Sequence, residues 1–228
     1  ISGGSREKTI SPWLPSALGF PGGQWFFSGI KESEDEMPER AITMIDVILP
    51  RRSLVRDLSL VLGFSLLTAI CARISFYVGL VPITGQTFAV LIAGALLGSR
   101  RGALSQFTYL GIGACGLPFW SAPIALPPSI RLFSPTGGYL IGFVPAAFLV
   151  GLLSERGWDQ GFWRTALAML AGNAVIYIFG LAWLTHLIPA DVVLPSGLYP
   201  FIPGDIAKLL LAAVALPSGW ALLQKRRG

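Results

Sequence analysis

Residues 203–208 (Pro-Gly-Asp-Ile-Ala-Lys) place a carboxylate and an ammonium group three positions apart inside an apolar stretch from Tyr199 to Leu223. This spacing puts Asp205 and Lys208 on one face of a helix, where they can bond one another. Ionisable groups in a membrane cost roughly 2.5 kcal/mol or more each, and they persist where they pair or hold a polar ligand. The segment therefore predicts a buried polar site on the last membrane-spanning helix, with a structural ion pair as the alternative.

The composition is that of an integral membrane protein. Of the 228 residues, 53% are hydrophobic and 13% are charged, whereas about a quarter of a soluble domain is charged. The mean hydropathy is +0.66. Cys71 and Cys115 lie in apolar runs without CxxC or Cys/His spacing, so neither a disulfide framework nor a metal site is predicted. The basic residues form short clusters between apolar runs, which indicates membrane topology rather than nucleic-acid binding.

Six apolar segments follow one another along the chain, and each is predicted to be a transmembrane helix. They are Asp57–Val78, Gln86–Gly98, Gly102–Leu117, Thr136–Leu153, Trp163–Ile188 and Tyr199–Leu223. The second and third are shorter than the roughly 20 residues of a spanning helix, so we expect them to borrow flanking residues or to lie recessed. The predicted fold is an all-α membrane protein, a bundle of six transmembrane helices.

Basic residues accumulate in alternate loops and at the end of the chain. They are Arg51, Arg52, Arg56, Arg100, Arg101, Arg156, Arg164, Lys225, Arg226 and Arg227. The opposite loops carry only Arg131 as a basic residue. Because cytoplasmic loops are enriched in lysine and arginine, both termini are predicted to be cytoplasmic in a multi-pass protein of the cell membrane.

The first 49 residues differ from the rest. They are rich in glycine and proline and then acidic at Glu32–Glu36, without the basic and apolar regions of a secretory signal. We expect residues 1–49 to be a poorly ordered leader or extension, and residues 50–228 to form the transmembrane domain.

Two more polar side chains lie at membrane depth. Asn173 is near the middle of the fifth span, and Tyr177 follows one turn later. A lone amide there often makes only a cross-helix hydrogen bond. Together with Asp205 and Lys208, the same side chains could line a cavity for a small polar group, and position alone leaves both alternatives open.

The connection between the first two spans is unusual for an external loop. Residues 81–88 (Val-Pro-Ile-Thr-Gly-Gln-Thr-Phe) carry no charge, turn at proline and glycine, and offer polar groups that include Gln86. We expect this segment to fold back onto the outer mouth of the bundle.

The connection between the third and fourth spans contains Phe119, Trp120, several prolines and Arg131. Aromatic residues at a membrane interface commonly form an anchoring belt. A proline-stiffened loop could equally cover a site, with Arg131 available to an anionic ligand. The following Gly137–Gly138 pair is predicted to permit close helix contact.

The first span has small residues at Ser65 and Ala69, a spacing that lets another helix approach closely. Internal packing is the default interpretation, and docking of an external partner is the alternative.

Motifs for hydrolysis, for metal binding and for ATP binding are not found in the sequence. His186 is the only histidine, and neither G-x-S-x-G, H-E-x-x-H nor G-x-x-x-x-G-K-[ST] occurs. If ATP drives transport here, it must bind another polypeptide.

In order along the chain, the motifs resemble those of the BioY family, the biotin-binding S-components of energy-coupling factor transporters. The resemblance covers roughly Leu54 to the C-terminus. It rests on Val81–Thr87, Leu97–Gly98, Arg101–Gln106, Gly116–Pro118, Pro135–Tyr139, Gly172–Asn173, Pro203–Asp205 and Lys208. The family usually has a glycine-rich loop after Gly-Leu-Pro, whereas Ser121–Ser134 is rich in proline here.

This resemblance implies a six-helix subunit that captures biotin from outside and docks on a transmembrane coupling subunit driven by two cytoplasmic ATPases. Ser65 and Ala69 would form the docking motif, and the chain itself would catalyse nothing and need no cofactor. The residues implied for biotin are Asp205, Lys208, Asn173, Tyr139 and Gln86, and the loop sequence itself adds Arg131 as a candidate for an anionic group of the ligand. The alternatives are a binding subunit for another small vitamin, and an intramembrane enzyme with Asp205 and Lys208 as acid and base.

Overall fold

The computed structural model describes residues 43–50, 53–76, 81–117, 119–120 and 133–225. In these ranges the chain is mostly helical, with two short strands, β1 (Ser75–Phe76) and β2 (Ile83–Thr84), that pair antiparallel. The α-helices of the described ranges are α1 (Met44–Ile48), α2 (Leu54–Arg73), α3 (Gln86–Leu97), α4 (Ser99–Ala114), α5 (Gly137–Ser154), α6 (Phe162–Leu184), α7 (Ala190–Gly197) and α8 (Ile202–Lys225). Single 3-10 turns at Trp158–Gln160 and Tyr199–Phe201 precede α6 and α8.

Each of the six predicted apolar segments is helical, which confirms the prediction of an all-helical membrane protein. Helix ends differ from the predicted ones by at most five residues, as where the first span ends at Arg73 instead of Val78. Four described stretches are long and apolar enough to cross a membrane: Leu54–Arg73, Gly137–Ser154, Phe162–Leu184 and Ala190–Lys225. Helix α3 is apolar but has 12 residues, and α4 is more polar. Six spans and two cytoplasmic termini stay predictions.

Helix α5 lies at the centre of the bundle and packs against α3, α4 and α6. Its sequence suits this position because many of its buried residues are glycine or alanine. A Cβ atom at Gly138 would lie 2.5 Å from the carbonyl oxygen of Phe179, so glycine is what lets α6 approach. The prediction of close helix contact at Gly137–Gly138 is confirmed.

The predicted cytoplasmic loops meet at one end of the bundle. Asp46 on α1 accepts hydrogen bonds from Arg101 at 2.7 and 2.9 Å and from Arg56 at 2.8 Å. Burial alone would raise the pKa of Asp46, but the bonds and charge of the two arginines outweigh it and lower that pKa from 3.8 to about 2. At the same end, Glu155 accepts a hydrogen bond from the backbone N–H of Ser99 at 2.7 Å. We call Asp46, Arg56 and Arg101 the Asp46 cluster.

The packed bundle begins before residue 50, where the sequence predicted its boundary. Thr43 and Met44 are buried, and the Met44 side chain lies against Gly219 of α8. Residues 43–49 are therefore part of the bundle, because the Asp46 cluster and Met44 fasten them to it. Residues 1–42 lie outside the described residues, and their assignment as an extension stays a prediction.

A buried carboxyl group joins α8 to the connection between α5 and α6. Asp159 is 1% exposed, and its Oδ2 atom accepts a hydrogen bond from Trp220 Nε1 at 2.6 Å. Burial raises the pKa of Asp159. This bond holds the C-terminal half of α8 at the loop end, so the half with Asp205 and Lys208 points toward the opposite end.

The small-residue face of α2 points into the bundle. Ser65 is fully buried, Ala69 is 6% exposed, and Thr68 is hydrogen-bonded at 3.3 Å to Gln106 of α4. The contact of α2 with α4 favours internal packing of this face, and docking of an external partner at Ser65 and Ala69 stays a prediction. The small residues serve internal packing, as the default interpretation expects.

Candidate functional site

A cavity lies at the end of the bundle opposite the Asp46 cluster, between α3, α5, α6 and α8. It has about 680 Å³ of empty volume, including the open space at its mouth. Its wall is mainly apolar and aromatic with a few polar groups. The wall residues are Val81, Pro82, Thr84, Gln86, Thr87, Trp120, Thr136, Tyr139, Leu140, Phe143, Ile176, Tyr177, Phe201 and Lys208.

Lys208 brings a positive charge to the wall, and all three of its N–H donors are used. Its Nζ lies 2.9 Å from the backbone oxygen of Thr84, 2.9 Å from Oγ1 of Thr87 and 3.1 Å from Oδ1 of Asp205. Thr84 belongs to β2, and Thr87 to the first turn of α3. The ammonium group therefore ties the terminal helix to the segment that leads into α3.

Asp205 lies behind Lys208 and is not a wall residue. Its side chain is 9% exposed, Oδ1 accepts from Lys208, and Oδ2 accepts from the hydroxyl of Tyr177. Both oxygens thus have charged or hydroxyl partners, which offsets the cost of burying the carboxylate. The predicted pairing of Asp205 with Lys208 is present, and Asp205 orients two side chains that do reach the cavity.

Three aromatic rings form one side of the cavity. Tyr139 and Phe201 are stacked with ring centroids 6.4 Å apart, and Tyr177 meets them edge-on at 6.3 and 6.4 Å. The hydroxyl of Tyr139 donates to the backbone oxygen of Gly197 at 2.8 Å. Tyr139, predicted as a lining residue, therefore contributes its ring to the wall, and such rings bind the apolar part of a ligand.

Gln86 is the first residue of α3, lies in the wall and is 5% exposed. Oγ1 of Thr84 donates to Oε1 of Gln86 at 2.9 Å, and Nε2 of Gln86 donates to the hydroxyl of Tyr109. The uncharged segment 81–88 folds onto the bundle here, as predicted from its composition.

Asn173, like Asp205, is a predicted site residue that lies outside the described wall. Asn173 is 6% exposed on α6, one turn before Tyr177. Its Oδ1 atom has no hydrogen-bond partner within the described part of the chain. A buried polar atom without a partner costs roughly 1–3 kcal/mol and is uncommon. Arg131 lies outside the described residues.

The position of Trp120 distinguishes between the two alternatives predicted for its loop, an anchor at the membrane interface and a cover over a site. Trp120 is 3% exposed, packs against Gly113 of α4 and lies in the cavity wall, so it does not anchor the protein at the membrane interface. Sequence reasoning missed Phe143 and Ile176, because apolar residues on long apolar helices carry no signal that separates wall from core.

The chemistry of the cavity suits a small molecule with both polar and apolar parts. Lys208 offers a positive charge, Gln86 offers a donor and an acceptor, the threonines offer acceptors, and the rings offer an apolar surface. The described residues contain no group of three or more metal-ligating side chains.

Known proteins resemble this chain in sequence and in fold. The BioY family model matches residues 38–225. A probable biotin transporter BioY of Pyrococcus horikoshii is 38% identical over 162 residues, which cover 70% of this chain and 93% of that protein. A biotin transporter BioY of Rhizobium etli is 36% identical over 182 residues, covering 70% and 96%. The 2.1 Å crystal structure of the S-component for biotin from an ECF-type ABC transporter matches with a TM-score of 0.63 at 25% identity, covering 78% of this chain and 96% of that one.

Proposed function

We propose, since this chain belongs to the BioY family, that it is the membrane-embedded biotin-binding subunit of an energy-coupling factor uptake transporter. The single observation that carries this proposal is the cavity, which joins an aromatic side to the polar groups of Gln86 and Lys208. The relatives named as biotin transporters and the biotin S-component of similar fold support it.

The chemistry of biotin matches this wall. Its bicyclic head has ureido N–H donors and a carbonyl acceptor beside an apolar sulfur ring, and its valerate tail ends in a carboxylate. The positive charge of Lys208 attracts the carboxylate or the carbonyl oxygen, and the Gln86 carboxamide can both donate to and accept from the ureido group. The rings of Tyr139, Tyr177 and Phe201 can hold the apolar parts.

Two residues behind the wall complete the proposed site. Asp205 holds Lys208 and Tyr177 in place through its two oxygens. Asn173 has an unpaired amide oxygen one turn from Tyr177, so a donor of the ligand reaching that depth would satisfy it. Arg131, in the connection that follows α4, is the proposed partner of an anionic group.

The proposed transporter contains further subunits. Biotin enters from outside the cell, a transmembrane coupling subunit docks on this chain, and two cytoplasmic ATPases supply the energy. The chain lacks the phosphate-binding motif G-x-x-x-x-G-K-[ST], so ATP binds the partners and biotin is the transported ligand. The proposed location is the cell membrane.

Equilibrium dialysis of labelled biotin against the purified chain in detergent, without ATP, tests this function. We expect saturable and reversible binding of one biotin per chain that excess thiamine and riboflavin do not displace. Lys208→Met should abolish most of this binding, while the same substitution at the exposed Lys225 leaves it unchanged.

Two other outcomes would replace the proposal. Displacement by thiamine or riboflavin at lower concentration than by biotin would indicate a subunit for another vitamin. A new product in the mass spectrum of the recovered ligand would indicate an intramembrane enzyme. Absence of saturable biotin binding in a folded, monodisperse sample would sink the proposal outright.

A further inference from the structure

We infer that Tyr109 is a positioning residue of the biotin site, which fixes the orientation of the Gln86 carboxamide and thereby the order of donor and acceptor that the ligand meets. The inference rests on the proposed function, because it concerns how the same cavity recognises its ligand. Tyr109 is not a wall residue, and it acts through Gln86.

Tyr109 lies on α4, directly behind the wall, and has no exposed surface. Its hydroxyl accepts a hydrogen bond from Nε2 of Gln86 and lies 3.5 Å from the backbone oxygen of Phe119. Its ring stacks on Phe119 at 6.2 Å and contacts the ring of Phe143 at 6.4 Å. One side chain therefore supports the start of α3, the segment after α4, and α5.

The hydrogen bonds on both sides of the Gln86 carboxamide are consistent with one orientation, and the bond to Tyr109 selects it. At one end, the backbone N–H of Gln86 can only donate, and it donates to Oγ1 of Thr84 at 3.3 Å. The hydroxyl proton of Thr84 is then free to donate to Oε1 of Gln86, 2.9 Å away. At the other end, the backbone oxygen of Phe119 can only accept, so the Tyr109 hydroxyl donates to it and accepts from Nε2 of Gln86.

This arrangement determines which hydrogen-bonding groups of Gln86 remain available to a ligand. The Gln86 carboxamide has two N–H bonds and two oxygen lone pairs. Tyr109 accepts from one N–H, and Thr84 donates to one lone pair. One donor and one acceptor are left in a fixed order. Without the Tyr109 hydroxyl, the carboxamide can rotate by half a turn, since a threonine hydroxyl also accepts a hydrogen bond. The ligand would then meet the two groups in either order.

A double-mutant cycle with Tyr109→Phe and Gln86→Met tests this inference, with the biotin dissociation constant as the readout. Phenylalanine keeps the ring and removes the hydroxyl, and methionine keeps the length of Gln86 without donor or acceptor. We expect Tyr109→Phe to weaken binding by about fivefold in the wild-type background. In the Gln86→Met background the same change should have no further effect, because the group that Tyr109 orients is gone.

The control is Tyr199→Phe, which removes a hydroxyl from an exposed tyrosine outside the wall and should leave the dissociation constant unchanged. Equal weakening by Tyr109→Phe in both backgrounds would overturn the inference, since a merely structural role does not depend on Gln86. No weakening in either background would overturn it too.

If Tyr109→Phe yields no folded protein, Thr84→Val takes its place in the cycle, because it removes the other anchor of the same carboxamide. The proposed function is judged separately, from the wild type alone. If the wild type binds biotin and the cycle is additive, only the role of Tyr109 falls, whereas a wild type that does not bind biotin removes both.

Discussion

Nζ of Lys208 lies 3.1 Å from Oδ1 of Asp205, yet only Lys208 belongs to the cavity wall. The Asp205 carboxylate lies behind the wall and also accepts a hydrogen bond from the hydroxyl of Tyr177. The pair is thus an ion pair within the bundle that also borders the cavity, so the two alternatives drawn from the sequence are not exclusive.

Asp205→Asn should weaken biotin binding more than about tenfold. The amide removes the negative charge that Lys208 and Tyr177 both contact, and the half-buried Lys208 is left with a poorer partner. Equilibrium dialysis on the purified variant measures the effect. Asp191→Asn, the same change at an exposed position of α7, should bind like the wild type, and unchanged affinity in folded Asp205→Asn would show that the pair does not serve the site.

Lys208→Met should both weaken biotin binding and speed its release. The substitution removes three hydrogen bonds, two of which tie the β2–α3 segment to α8. A segment that is no longer tied opens the cavity more often, so a chase with unlabelled biotin should give a dissociation rate more than about tenfold faster. Lower affinity with an unchanged release rate would contradict the proposed tie.

Ser65→Leu should destabilise the chain by about 1–3 kcal/mol, because the added side chain has no space between α2 and α4. Leu66→Phe, which enlarges an exposed neighbour on the same helix, should have little effect on stability. Thermal unfolding in detergent compares the two. A Ser65→Leu protein of unchanged stability that fails only in uptake would instead support docking of an external partner at Ser65 and Ala69.

Asp46 should make stability depend on pH below about pH 4. Its pKa is lower in the folded chain than in the unfolded one, so the unfolded chain binds the proton more tightly. The stabilisation is complete above the unfolded value of about 3.9, is about 2 kcal/mol there, and is lost as pH falls toward about 2.

The measurement for this prediction is the difference in unfolding free energy between the wild type and Asp46→Asn at several pH values. It should be constant from pH 7 to pH 5 and shrink between pH 4 and pH 3. A difference that stays the same at pH 3 would show that the arginines do not hold the carboxylate in its charged form.

The sequence predicted correctly those features that depend only on how each segment interacts with the membrane. Apolar segments become helices in a membrane because every backbone group must bond within its own segment, and the observed helix ends follow the predicted ones closely. Asp205 and Lys208 could be predicted as a buried pair because an unpaired charge in a membrane is costly. Gln86 and Tyr139 came from the family resemblance, and both lie in the cavity wall.

Sequence patterns failed where two elements distant along the chain meet. The sequence pattern around Ser65 is the same for packing against α4 and for packing against a partner. The sequence also does not distinguish Tyr109 from other aromatic residues of a helix. The predicted start of the bundle at residue 50 came too late, because the sequence does not show that Asp46 pairs with Arg101, 55 positions further along the chain.

By itself, the sequence determined the helical class, the approximate helix ends, the family and the charged pair on the last helix, because hydropathy and charge act residue by residue. Only the tertiary structure decided which side chains form the cavity wall, which stand behind it, and which way the Gln86 carboxamide points. These properties depend on helix rotation and on hydrogen bonds between remote segments, and close packing of the whole bundle sets both.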